Sequence, residues 1–248
     1  IGGAALLIDL IVVSLTILLG AGLGRLLKMD RDTALLTSIG SSICGAAAVL
    51  GAEPVVKSKP YKAAVAVSTV VIFGTLSMFL YPALYRAGML NLTTEQMGLF
   101  TGATLHEVAH VVGAGNAMGQ AISDPAIIVK MIRVMMLAPV LVILSIILAR
   151  RDSAAGGNSE KRKITIPWFA FLFLAVIGFN SLHLLPAELV DAINTLDTFL
   201  LTMAMTALGA ESSFEKFKKA GARPFLLAGL LYVWLFFGGY WLVKLISF

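Results

Sequence analysis

Charge is what this chain has least of: only 13% of its 248 residues are Asp, Glu, Lys or Arg, where a soluble domain carries about 25%. With 58% hydrophobic residues, a water-soluble globule is excluded. Cysteine is nearly absent as well. Cys44 stands alone, which excludes an intramolecular disulfide and a multi-cysteine metal site. No stretch alternates strictly between polar and apolar residues, so nothing supports a membrane barrel. No nucleic-acid footprint is present either. The net charge is +5, but the basic residues cluster between apolar runs, where membrane topology accounts for them. An initiator methionine is also missing: the chain opens at Ile1 inside an apolar run, and the expectation is a piece of a longer protein with helices upstream. No cofactor is expected, and the chain reads as a non-enzyme.

What is present is apolar sequence, with a mean hydropathy of +0.91. Six segments, 4–27, 62–85, 125–149, 167–183, 187–209 and 224–246, are long enough to cross about 30 Å of hydrocarbon at about 1.5 Å per residue. Pro125, Pro167 and Pro224 fall where first helical turns are expected. Two further stretches, 33–56 and 94–122, are apolar but studded with Gly, Ala, Ser and Thr, with polar groups at their middles. The fold expected is an all-α polytopic membrane protein of one transmembrane domain over 1–248, with a linker loop at 150–163.

Lys and Arg collect in short cytoplasmic loops. Arg150, Arg151, Lys161, Arg162 and Lys163, and again Lys216, Lys218, Lys219 and Arg223, place two loops inside. Arg25, Lys28 and Arg31 then also lie inside, as do Lys57, Lys59 and Lys62. Segment 33–56 is thus basic at both ends. A segment that leaves and returns to one side is a re-entrant hairpin, tolerated where it is buried in protein or lines a cavity; 94–122 mirrors it from outside, and a pair of broken spanning helices is the alternative. An internal repeat links the two: Gly40-Ser41-Ser42-Ile43-Cys44-Gly45-Ala46-Ala47-Ala48 lies over Gly102-Ala103-Thr104-Leu105-His106-Glu107-Val108-Ala109-His110. Inverted repeats with interrupted helices meeting near the midplane are the architecture of secondary transporters.

The candidate chemistry sits at these interruptions. Gly40, Ser41, Ser42, Cys44 and Gly45 allow a helix to restart inside the membrane, and such a start favours an anion; small-residue helix packing is the competing explanation. Thr104, His106, Glu107 and His110 form the second group. His106-Glu107-Val108-Ala109-His110 matches H-E-x-x-H, which on a helix holds zinc, but it lacks a convincing third ligand, His183, Asp191 and Asp197 being the remote candidates. As ionisable groups at membrane depth, His106 and Glu107 are binding and proton-coupling candidates. Arg133, in the helix expected from Pro125, is a candidate anion ligand or a partner of Glu107 in a buried ion pair, while Lys130 is expected to snorkel outward. Asp197 is a candidate for a coupling cation or proton. Asp9 is a second isolated carboxylate, and structural hydrogen bonds remain open for both.

Gly40-Ser41-Ser42-Ile43-Cys44-Gly45-Ala46-Ala47-Ala48-Val49, Thr104-Leu105-His106-Glu107-Val108-Ala109, Arg133-Val134-Met135-Met136-Leu137-Ala138-Pro139 and Ile164-Thr165-Ile166-Pro167-Trp168-Phe169 together resemble the YeiH-type family of bacterial inner-membrane proteins, often described as sulfate exporters. The resemblance runs in order along essentially the whole chain. It implies an inner-membrane transporter, family members with about three further N-terminal helices, and a sulfur oxyanion or organosulfonate as the substrate class. It also implies that the His110 position is often glutamine in the family, which disfavours zinc. The combined expectation is a secondary carrier in the bilayer. Its small anion would be bound by Ser41, Ser42, Cys44 and Gly45 from one side and by Thr104, His106 and Arg133 from the other. Glu107 and Asp197 would couple it to H+ or Na+, and self-association is left open. A cation/proton antiporter, a channel and an intramembrane metalloprotease are the competing readings.

Overall fold

The computed structural model describes residues 2–154, 168–182, 184–211 and 221–247, all helix and connecting loop with no strand among them. The first long apolar run forms α1 (Gly2–Leu26), and Asp30 starts the next helix, α2 (Arg31–Ser42), by accepting a hydrogen bond from the Thr33 amide. After Ile43-Cys44-Gly45 the chain restarts as α3 (Ala46–Val56), then α4 (Pro60–Arg86) begins with proline in its first turn. Thr93 and Gln96 cap α5 (Thr94–Thr104) reciprocally. A second interruption at Leu105-His106-Glu107 precedes α6 (Val108–Met118), and Gly119 turns the chain into α7 (Gln120–Met135). α8 (Leu137–Ala154) continues α7 after a break at Met136, three residues before Pro139, which denies its helix an amide donor. α9 (Trp168–Ser181), α10 (Ala187–Glu211) and α11 (Ala222–Ile246) follow.

Both small-residue stretches are interrupted, and their ends say how they enter. Lys62, at the start of α4, lies 2.7 Å from both Asp30 and Asp32 at the start of α2. The chain leaving α3 is therefore back where α2 set out, so α2–α3 is a re-entrant hairpin. In the second pair, Arg86 at the end of α4 donates to the Ala117 carbonyl at the end of α6 (2.7 Å), and only a short loop separates Arg86 from the start of α5. α5–α6 is a hairpin as well. Their faces are opposite. Arg223 at the beginning of α11 donates to the Lys28 carbonyl beside α2 (3.1 Å), whereas Gln96 of α5 donates to the Ser247 carbonyl beyond the far end of α11 (2.8 Å). Between those anchors run the 25 residues of α11, about 37 Å of helix. Each hairpin arm, at 11 or 12 residues, covers about 17 Å, roughly half the hydrocarbon thickness.

The repeat is thus a structural one. Ser42 and Thr104, which end α2 and α5, coincide in the alignment of the two segments, and so do Ala46 and Val108, which restart them. Each hairpin packs on the helix that follows it, α2–α3 on α4 and α5–α6 on α7, and the halves interlock through α4 against α6 and α3 against α8. Two large apolar clusters result among the described residues, with a small third of Ala34, Leu227 and Leu231. One gathers Leu36, Ile39, Val49 and Leu141, the other Ile8, Phe100, Leu105 and Val129.

Among the described residues, four helices are long and apolar enough to cross a membrane: α1, α4, the continuous α7–α8 stretch Gln120–Arg150, and α11. Their outward residues, such as Leu18, Phe79, Ile143 and Trp241, are exposed, as lipid-facing side chains are. Of the six spans expected, 4–27, 62–85, 125–149 and 224–246 correspond to these four, while 167–183 and 187–209 are not among them. The described part of α9 has only 14 residues, and α10 has the length but is diluted by Asp191, Asn194 and Asp197. Pro125 lies inside α7, not at its start, because Gly119 and not Pro125 begins the helix. Most of the 150–163 linker, Pro167, His183 and the basic run Lys216, Lys218 and Lys219 lie outside the described residues.

Candidate functional site

The hairpin tips meet. Helix α2 ends on carbonyls that have no further turn to accept from, and so does α5; a helix C-terminus of this kind attracts positive charge. Two cations of α7 supply it. The Lys130 ammonium donates to the carbonyls of Ile43 (2.7 Å), Leu105 (2.8 Å) and His106 (2.7 Å). Arg133 donates from Nε to Ile43 (2.6 Å), from Nη2 to Leu105 (2.6 Å), and from Nη1 to the Ala103 carbonyl. Both side chains are wholly buried. Lys130 does not snorkel. Since α7 begins at Gln120, Lys130 stands about 15 Å into the helix, too deep to reach an interface, and both tips offer it carbonyl acceptors.

A third contact joins tip to tip. The Glu107 carboxylate accepts from the Ala46 amide at the start of α3 (Oε1, 3.1 Å), an anion on a helix N-terminus. Gly45 makes the approach feasible. Its φ is +70°, and a Cβ there would collide with the Glu107 side chain, standing 2.8 Å from Oε1 and 3.1 Å from Cδ. The expected Glu107–Arg133 ion pair does not form: the guanidinium is spent on carbonyls and Glu107 is turned toward α3. Oε2 of Glu107 has no hydrogen-bond partner and lies 3.9 Å from Nδ1 of His110.

His106 and His110 part company at this tip. Glu107 is the N-cap of α6, with extended backbone (φ −120°, ψ 156°), so His106 precedes the helix and the two imidazoles do not sit on successive turns of one face. That removes the geometry from which H-E-x-x-H derives its zinc affinity. Among the described residues no group of three His, Cys, Asp or Glu is placed to hold a metal. His110 packs instead against α4. Its Nε2 is 3.4 Å from the Thr75 hydroxyl, in space left by Gly74, where a Cβ would meet the ring. His106 is fully buried with neither ring nitrogen hydrogen-bonded.

The hydroxyls divide in the same way. Ser42 donates back to the Ile39 carbonyl (3.0 Å), and Thr104 bonds the Phe100 carbonyl (2.5 Å) and the Tyr81 hydroxyl (2.9 Å). Both are satisfied locally. Ser41 is fully buried and has no partner. Cys44 is buried and free, with its sulfur toward the Ala48 amide. Tyr81, which the sequence reading passed over, is wholly buried in α4 and stacks on Phe100 with ring centres 4.8 Å apart; the only signal for it was a tyrosine in an otherwise apolar span. Asp9 of α1 is wholly buried, and neither of its oxygens has a hydrogen-bond partner. Asp197 is elsewhere. It sits on α10, where every side chain from Asp191 to Leu200 is exposed.

The structure therefore gathers Ser41, Ser42, Cys44, Gly45, Thr104, His106, Glu107 and Arg133 around the two tips, adds Lys130, and leaves Asp197 out.

Comparison with known proteins finds relatives named as membrane proteins. The family described as Conserved hypothetical protein 698 matches residues 1–228. A UPF0324 membrane protein of Bacteroides thetaiotaomicron is 67% identical over all of this chain, which covers 74% of that protein. A UPF0324 membrane protein of Bordetella bronchiseptica is 52% identical over 99% of the chain and 76% of its own length. The UPF0324 inner membrane protein YeiH of Escherichia coli K12 is 51% identical over 96% of the chain and 68% of its own length. No solved structure matches. With whole-chain identities at this level and a helical core of apolar spans and paired hairpins, the chain belongs to the Conserved hypothetical protein 698 family, that of the UPF0324 membrane proteins including YeiH, and is a multi-pass protein of the bacterial inner membrane.

Proposed function

We propose that this protein is a secondary carrier of a small inorganic or organic anion, with the anion bound where the two hairpin tips meet. The observation that carries the reading is the pair of re-entrant tips from opposite faces, tied together by the buried cations Lys130 and Arg133. A site at interrupted helices between inverted repeats is the arrangement around which many secondary carriers alternate access. The charge and the amides favour an anion. Val111 is the first residue of α6 to bond within the helix, so the amides of Val108, Ala109 and His110 have no intrahelical acceptor, and no side chain caps them. Beside them His106, and on the other tip Ser41, each carry an unpartnered polar group in a fully buried side chain.

In this reading Lys130 and Arg133 hold the tips and set the positive field, the amides of α6 with His106 and Ser41 contact the anion, and Glu107 occupies the start of α3 as an internal counter-charge. Ser42, Thr104, Cys44 and Gly45 shape the tips. Sulfate, sulfite, thiosulfate and organosulfonates are the first substrates to try, on the family resemblance.

The test is thermal stability of the purified protein against these anions, carboxylates, Na+ and Zn2+. A ligand at a hundred times its Kd adds about 2.7 kcal/mol to the folded state. A rise in Tm with one anion class, lost in Ser41→Ala and His106→Ala, is the expected result. Stabilisation by Na+ alone would replace the carrier with a cation antiporter.

A further inference from the structure

We infer that Asp9 is a proton-binding site coupled to the anion, so that the carrier takes up one proton at Asp9 with each anion it binds. The inference rests on the carrier reading and adds the coupling ion and its residue.

The argument begins from what Asp9 lacks. A buried carboxyl kept for structure is hydrogen-bonded. Asp9 is wholly buried in α1, yet neither oxygen finds a donor. Its charged neighbours are Lys130 and Arg133 of α7, both within electrostatic reach, and both already spend their N–H groups on the tip carbonyls. They act on Asp9 only through space. Among the described residues, the other ionisable groups on the helices packed against α1 do not compete: α7 also carries Asp124, exposed in its first turns. α2 carries Arg31 and Asp32 at its outer start, Asp32 bonded to Lys62; α5 carries Glu95, exposed in its first turn; α11 carries Arg223, Tyr232, Tyr240 and Lys244, with Lys244 on the Tyr240 hydroxyl. A metal cation is poorly served by two fixed positive charges and no second carboxylate. A proton needs neither.

The charge count makes the coupling. Lys130 and Arg133 contribute two positive charges to the buried centre, and Glu107 and Asp9 two negative ones when ionised. The centre is then neutral and has no field to offer an anion. Glu107 is engaged with the Ala46 amide, which stabilises its charged form. Asp9 has no such bond. A proton on Asp9 leaves the centre with one net positive charge, which attracts an anion whether it carries one charge or two, so proton and anion favour each other reciprocally.

The test measures binding of sulfate, thiosulfate and methanesulfonate, none of which changes its own charge in this range, to the purified protein between pH 5 and 8, with proton uptake followed by an indicator dye in weak buffer. The wild type is expected to bind one of these anions with about one proton, its Kd rising up to tenfold per pH unit. In Asp9→Asn that Kd becomes independent of pH and the proton uptake disappears, while anion binding persists. Asp9→Glu, which keeps a carboxyl in a longer side chain, retains uptake with a displaced midpoint and covers the case in which the asparagine variant does not fold. Proton uptake unchanged in Asp9→Asn, an undisplaced midpoint in Asp9→Glu, or uptake abolished by Glu107→Gln or His106→Gln but not by Asp9→Asn overturns the inference and leaves the carrier standing. Absence of binding for all three anions in the wild type overturns both.

Discussion

Lys130 and Arg133 share acceptors, and this sharing fixes how the protein responds to losing them. In Lys130→Met the carbonyls of Ile43 and Leu105 keep a donor in Arg133, so only the His106 carbonyl is orphaned. In Arg133→Met the same two carbonyls keep Lys130, and only Ala103 loses its side-chain donor. Removing one partner from a buried charge network costs about 3–5 kcal/mol, and with two of the three bonds covered by the surviving cation each single variant belongs at the lower end, about 3 kcal/mol. The double variant has no such cover. It strips the side-chain donors from the carbonyls of Ile43, Ala103, Leu105 and His106 at once, so its cost should exceed the sum of the singles by about 1–2 kcal/mol, within the range known for residues in one network. Equilibrium unfolding in mixed detergent micelles, read by tryptophan fluorescence, supplies the four free energies of the cycle. A coupling of zero, or a double variant less destabilised than the sum, refutes the shared-acceptor account and means that repulsion between the two cations dominates their attraction for the tips.

Gly45→Ala should cost about 1–3 kcal/mol through its positive φ alone, with a further penalty from the Glu107 side chain; the melting temperature of Gly45→Ala/Glu107→Ala should recover the second part and not the first. Tyr81→Phe removes the bond to Thr104 at the end of α5 and should lower stability by about 1 kcal/mol, read from the same unfolding measurement. At the outer end of the first hairpin, partial burial raises the Asp30 carboxyl but hydrogen bonds from Lys62 and Thr33 outweigh it and hold it below its ordinary range. A lowered folded-state value stabilises above the unfolded value of about 3.9 and is lost as pH falls through the folded one. Lys62→Met should therefore flatten the stability profile only below about pH 4, and by less than about 0.5 kcal/mol, since Asp30 is half exposed and screened. A pH effect near neutrality in that variant would place the change elsewhere.

The helix interruptions were legible in the sequence because their cause is local: Gly40 and Gly45, and the polar run Thr104 to Glu107, disrupt an apolar pattern at matching points of a repeat. The hairpin geometry was legible too, since Lys57, Lys59 and Lys62 mark the same face as Arg31, and the Lys62 bonds to Asp30 and Asp32 are that signal made physical. Depth along a helix was not legible. Taking Pro125 as the first turn put Lys130 near an interface, whereas the true start at Gln120 moves it by more than a turn into the protein; a first-turn proline is the favoured placement, and in the second turn of α7 Pro125 forgoes a backbone hydrogen bond instead. Partnership was not legible either. Arg133 and Glu107 looked complementary as charges, but a guanidinium beside two helix C-termini meets carbonyl dipoles first, and a carboxylate beside a helix N-terminus meets an amide. Backbone partners carry no mark in the sequence, since every residue type brings the same ones. For the same reason Asp9 and Asp197 could not be told apart as lone acids in apolar helices. One is buried without a donor beside two cations, and the other is exposed on α10; that difference comes from which helices pack around α1, a property of the assembled chain.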